Sequence, residues 1–128
     1  MENNKQPLTL DEYQRRAMET KTESSDNFAY MALGLVAEVG EFFDKVAKMV
    51  RKEQLAIDNN NLQLSPEALE KYEVLLEGIK AELGDILWFV AGLAEVLDIP
   101  LDDLAQENLA KLADRQKRGV IIGDGDNR

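Results

Sequence analysis

The stretch Leu75-Leu76-Glu77-Gly78-Ile79-Lys80-Ala81-Glu82-Leu83-Gly84-Asp85-Ile86-Leu87-Trp88-Phe89 combines a helical pattern with two acids that violate it. It has no proline and no β-branched run, and its apolar residues recur three and four positions apart, as on one helix face. Wound at about 100° per residue with Glu82 as origin, Leu75 and Phe89 flank it at about 20° on either side. Ile86 follows at about 40° and Ile79 at about 60°. Glu82 therefore stands in the middle of the stripe that such a helix buries. Asp85 lies at the edge of that stripe, between Phe89 and the small residues Ala81 and Gly92. Glu77 and Glu95 fall on the opposite face, where a solvated acid belongs.

The same irregularity occurs upstream. In Gly34-Leu35-Val36-Ala37-Glu38-Val39-Gly40-Glu41, Glu38 touches a stripe made by Met31, Leu35, Phe42 and Met49, and Glu41 lies at its edge with Lys45 and Lys48. Each acid pair is spaced i,i+3 and so projects from one side of its helix. If the two helices pack antiparallel, Glu38, Glu41, Glu82 and Asp85 converge. An ionised carboxylate taken out of water without a partner costs several kcal/mol. Protonation, a bridge to Lys45 or Lys48, or a bound divalent cation would relieve that cost. With both pairs in neighbouring apolar stripes, the expectation is a hard-metal site for Mg²⁺, or Mn²⁺, holding one ion or two.

Composition narrows the chemistry further. The chain has 128 residues, 15 Lys+Arg against 25 Asp+Glu, a net charge of −10, and neither histidine nor cysteine. Disulfides, zinc sites, thiol nucleophiles and His-centred triads are excluded. The acidic balance opposes nucleic-acid binding, which needs excess positive charge. The longest apolar run, Ile86 to Ala94, is too short to span a bilayer, and the start of the chain lacks the pattern of a signal peptide. No membrane partner and a cytoplasmic location are therefore expected.

Punctuation along the chain predicts a single all-α domain over residues 1–128, a bundle of four to five helices dominated by two long ones. Thr9 and Glu12 form a capping box for a first helix reaching about Lys21. The Ser24-Ser25-Asp26-Asn27 cluster caps a second, from about Phe28 to Glu53. Asp58-Asn59-Asn60-Asn61 reads as a polar loop. Ser65-Pro66-Glu67-Ala68 opens a third helix to about Leu97. Asp98-Ile99-Pro100 breaks it before a fourth, Leu101 to Arg118, stopped by Gly119. Residues 119–128 read as an extended tail. Leu83, Leu87 and Val90 widen the apolar surface of the third helix beyond what one monomer covers, so a homo-oligomer is expected.

Taken together, Gly34 to Glu41 and Glu82-Leu83-Gly84-Asp85-Ile86-Leu87-Trp88-Phe89 resemble the paired E-x-x-E and E-x-x-D motifs of the MazG-like nucleotide pyrophosphohydrolases. The resemblance extends through Asn108-Leu109-Ala110-Lys111-Leu112, Arg115 and Arg118-Gly119 into the tail. It implies an all-α enzyme, dimeric or tetrameric, that uses Mg²⁺ to hydrolyse a nucleoside triphosphate to the monophosphate and pyrophosphate, often in nucleotide-pool house-cleaning. The segment between the motifs, Asp44 to Ala81, is longer than in the family's compact examples, which bears on the shape of the substrate pocket.

Without histidine, a carboxylate or a metal-bound hydroxide must handle the proton of the attacking water. Glu38 or Glu41 is expected to activate it. Lys111, Arg115 and Arg118 share one face of the fourth helix and suit phosphate, though a basic last turn also complements a helix dipole. Lys48, Asn108 and Trp88 are further expected substrate contacts, Trp88 by stacking on the base, although a lone tryptophan more often belongs to a core or subunit interface. Two alternatives stand beside this reading: a non-catalytic helical assembly module with the acids in salt bridges, and a phosphoribosyl-nucleotide pyrophosphohydrolase.

Overall fold

A computed structural model describes residues 7–58 and 60–122. The fold is all-α with one small hairpin: α1 (Leu10–Met18), a 3₁₀ turn (Glu23–Ser25), α2 (Phe28–Arg51), β1 (Leu55–Asp58), β2 (Asn61–Leu64), α3 (Pro66–Glu70), α4 (Tyr72–Val96) and α5 (Leu101–Arg118). The expected N-cap side chains are in place, although Glu12 turns its carboxylate to Arg15 and does not complete the capping box with Thr9. Thr9 Oγ1 accepts from the Glu12 amide, Asn27 from Tyr30 and Ser65 from Ala68. Gly119 closes α5 in the left-handed conformation, φ 70°, which costs a glycine nothing.

Three boundaries differ from the expected ones. The first helix stops at Met18 rather than near Lys21. There the Thr20 hydroxyl bonds back to the Ala17 carbonyl, 2.7 Å, and Ser25 Oγ receives the Thr22 amide, 2.8 Å, so the chain turns early. The polar loop is the tip of an antiparallel hairpin with Leu55 opposite Leu64 and Asp58 opposite Asn61. Its two-residue turn uses Asn60 at φ 63°, a conformation asparagine tolerates better than most residues. The third helix is interrupted at Lys71, leaving α3 as a single capped turn ahead of α4. The tail expected beyond Gly119 lies, from residue 123 onward, outside the described residues.

The two long helices run antiparallel. Met31 sits on Gly92, Gly34 on Phe89, and Lys45 on Gly78, so each step forward along α2 meets a step back along α4. Their seam is the most extensive packing in the fold. Small residues make it possible: a Cβ on Gly34 would overlap the Phe89 ring, and one on Gly92 would overlap the Met31 sulfur. Met31 is wholly buried there, with Phe89, Ala91, Ala94, Met18 and Leu101 completing the core.

One polar side chain ties α1 to the rest. Gln14 is buried. Its Nε2 donates to the Ala91 and Ile99 carbonyls at 3.3 and 3.1 Å, and its Oε1 accepts from the Leu101 amide at 3.0 Å. The starts of α1 and α5 cap each other in the same place. Asp102 accepts from the Leu10 amide at 3.1 Å, and Asp11 accepts from the Asp102 amide at 2.8 Å. These contacts satisfy amides that a helix start leaves open. No described helix is long and apolar enough to cross a membrane.

Helix propensity alone makes Gly→Ala stabilising in a helix interior. At Gly34 and Gly92 the opposite outcome is expected, because overfilling a packed seam costs about 1–3 kcal/mol. Urea unfolding of Gly34→Ala and Gly92→Ala checks this; a midpoint equal to or above that of the parent chain refutes the close approach.

Candidate metal centre

Because α2 and α4 are antiparallel, the misplaced acids of both meet at one level of the seam. Glu38, Glu82 and Asp85 each bring a carboxylate oxygen within 4.8 Å of the others. Burial is graded across the trio. Glu82 is 6 % exposed, Glu38 is partly buried, and Asp85 faces outward. Glu41, expected as a fourth member, stands one turn further along α2 on the exposed side and is not part of the trio. It still acts on it electrostatically.

The carboxylates compete for protons as like charges do. Burial pushes the Glu38 pKa above its ordinary 4.5, and the neighbouring charges of Glu41, Asp85 and Glu82 push it further the same way. Tyr13 of α1 is also raised, first by burial and then by the Asp85 charge, which places α1 along the rim of the site. Tyr30 leans on Phe89 with ring centroids 5.8 Å apart, lining the same seam one step nearer the start of α2.

Glu82 holds the most informative arrangement. Lys45 Nζ lies 2.5 Å from its Oε1 and donates to the Gly78 carbonyl at 3.2 Å. Its Oε2 is buried with no hydrogen-bond partner among the described residues. A structural bridge of the kind weighed from sequence is thus present, but it satisfies one oxygen and leaves the other orphaned. An unsatisfied buried charged atom costs about 1–3 kcal/mol or more. A buried carboxylate with one orphan oxygen, gathered with two more carboxylates, is the donor set of a hard, oxygen-ligated cation, so these residues fit a divalent metal.

The expected substrate contacts divide between two regions. Lys48 lies on α2 near the acids and is paired with Asp44. Asn108, Lys111, Arg115 and Arg118 are carried by α5, whose substantial packing is against α1, not against α2 or α4. Arg115 is buried, 8 % exposed, and Arg118 pairs with Asp114 at 2.7 Å. Trp88 sits at the α1–α4 seam. Its Nε1–H donates to the Ala17 carbonyl, 3.1 Å, and to Thr20 Oγ1, 2.8 Å, and its ring meets Phe89 edge-on.

Comparison with known proteins agrees with the geometry. Residues 27–120 match the MazG nucleotide pyrophosphohydrolase domain, and the chain belongs to that family. It is also similar to the Gene 37 protein of Mycobacterium phage L5, 40% identical over 106 residues, which is 83% of this chain and 81% of that protein. No solved structure matches the chain.

The raised Glu38 pKa has a signed consequence. Between 4.5 and its folded value the native state binds the proton more tightly than the unfolded chain, so stability falls as pH rises through that window. Metal-free protein should therefore melt higher on moving from neutral pH down into the window just above 4.5, and divalent-ion binding should weaken over the same range as protons compete. Glu38→Gln should remove its share of both trends, as read by thermal melts and calorimetry at stepped pH. A metal-free melting point that falls steadily as pH is lowered toward 4.5 in the parent chain would contradict the assignment.

Proposed function

We infer that this protein is a Mg²⁺-dependent nucleoside triphosphate pyrophosphohydrolase, with Mn²⁺ as an effective substitute, releasing a nucleoside monophosphate and pyrophosphate. The observation that carries this reading is the buried Glu82, whose Oε2 has no hydrogen-bond partner among the described residues and whose carboxylate lies close to those of Glu38 and Asp85. A purely structural role for the acids would call for a fully satisfied bridge. Lys45 supplies only half of one.

A divalent ion bound there would neutralise phosphoryl oxygens and acidify a coordinated water. The protein's own residues do the rest. Glu82 and Asp85 from α4 and Glu38 from α2 hold the cation. Glu38 is also the candidate base, since with no histidine in the chain a carboxylate at the site takes the water's proton. Glu41, on the exposed side one turn on, orients water or completes the metal's ligands. Lys48 supplies positive charge beside the acids. Asn108, Lys111, Arg115 and Arg118 on α5 add anion contacts, and Trp88 offers a ring face to the base.

Assembly as a homodimer or homotetramer belongs to the same reading. Leu33 and Val36 on α2 are 73% and 72% exposed, and Phe43, Leu83 and Leu87 are exposed as well. Apolar surface on that scale is the usual mark of a protein interface. A cytoplasmic role in clearing unwanted nucleotides fits an enzyme of this class.

Three measurements test the proposal. Calorimetric titration with Mn²⁺ should show binding in the parent chain. In Glu82→Gln the loss should exceed the roughly 10–100-fold seen when a metal ligand merely loses its supporting hydrogen bond. A nucleotide panel with Mg²⁺, resolved by chromatography, should yield monophosphate and pyrophosphate in equal amounts. Release of orthophosphate, or hydrolysis unaffected by chelation, would refute the reaction. Cleavage confined to a phosphoribosyl nucleotide would replace the substrate and keep the metal site.

A further inference from the structure

Lys45 belongs to α2 but spends its charge on α4. Its Nζ lies 2.5 Å from Glu82 Oε1 and donates to the Gly78 carbonyl at 3.2 Å. Gly78 stands one turn before Glu82 on the same helix, so the ammonium is anchored twice, once on a backbone oxygen that α4 itself holds in place. Of the three donors a lysine carries, two are thereby engaged. The two oxygens of Glu82 become unlike. Oε1 holds Lys45, whereas Oε2 is buried with no hydrogen-bond partner among the described residues. Glu82 thus has one oxygen, not two, to give to a cation shared with Glu38 and Asp85.

We propose that Lys45 determines which divalent ion the centre accepts: by occupying Glu82 Oε1 it confines Glu82 to coordination through one oxygen, which favours Mg²⁺ and Mn²⁺ over Ca²⁺. The proposal rests on the metal-centre reading above and adds to it the choice of ion. Ca²⁺ gathers about six to eight oxygens in a flexible shell and commonly takes both oxygens of a carboxylate. Mg²⁺ is smaller, keeps a near-octahedral shell with several waters, and is satisfied by single oxygens from one or two carboxylates. Lys45 withdraws an oxygen from the most buried acid of the trio, Glu82 at 6% exposure, where water is least able to supply the missing ligand. For a cation to take both oxygens, Lys45 must give up Glu82. Separating the two halves of a pair whose acid is buried is costly. An ion content with one oxygen leaves the pair intact, and the Gly78 carbonyl keeps the ammonium from swinging aside.

The full chain is titrated calorimetrically with Mn²⁺, Mg²⁺ and Ca²⁺ in turn, without nucleotide. The parent chain is expected to bind Mg²⁺ at least as tightly as Ca²⁺. Lys45→Met keeps an unbranched side chain of similar length and frees Oε1. Its affinity for Ca²⁺ relative to Mn²⁺ should rise about tenfold, the scale on which groups behind a metal ligand act. A role in packing alone would not move that ratio. Lys80→Met removes the same charge from an exposed site paired with Glu77 and should leave the ratio as in the parent. An unaltered ratio in Lys45→Met, or an equal change in Lys80→Met, overturns the assignment. If circular dichroism shows that Lys45→Met does not fold, the parent chain decides alone: Ca²⁺ bound more tightly than Mg²⁺ refutes selection by Lys45. The two readings fail differently. Divalent binding with an unchanged ratio sinks the role of Lys45 and keeps the metal centre, whereas a parent chain that binds no divalent ion sinks both.

Discussion

Glu82 is a buried ionisable side chain in the α2–α4 seam, with a lysine on one oxygen and no hydrogen-bond partner on the other among the described residues. Evolving a leucine there would give the α2–α4 seam a better apolar core at no electrostatic cost. Retaining an acid, and surrounding it with two more, makes the seam less stable alone than it could be. The arrangement is intelligible when the missing stabilisation comes from a ligand, since anything that binds the folded state preferentially adds to its stability.

The remainder of the structure serves to hold those carboxylates in register. Gly34 and Gly92 let the helices approach until Phe89 and Met31 fill the space a Cβ would take, which fixes both their separation and their relative slide. Sliding one helix by a turn would separate Glu38 from Asp85 and drive Met31 into a neighbouring side chain. Gln14 and the reciprocal Asp11 and Asp102 caps then fasten α1 and the start of α5 over the same end of the seam. Trp88, with its N–H engaged by Ala17 and Thr20, closes the angle between α1 and α4. Apolar packing sets the distance, and directional hydrogen bonds set the orientation.

Charge is arranged by position rather than by amount. A chain so rich in acid repels polyanions at long range, yet the α2 stripe changes sign within two helical turns. Lys45 stands at the change of sign, with its Nζ on Glu82 Oε1 and on the Gly78 carbonyl.

Much of this was legible in the sequence. Helix caps are local chemistry, so Thr9, Asn27, Ser65 and Gly119 announced themselves. Glu82 and Glu38 stood out because a 3.6-residue period defines a buried stripe without knowledge of the partner. The hairpin was missed because the short segments Leu55–Asp58 and Asn61–Leu64 signal strand only when paired, and the asparagine run between them reads equally as loop. The break at Lys71 and the early end of α1 depend on contacts made elsewhere in the fold. Periodicity reports direction around a helix axis, and so the sequence by itself determined which acids point inward. It carries no information on the slide and facing of two helices. Only the tertiary structure therefore decided that three acids rather than four converge and that Lys45 takes one oxygen of Glu82.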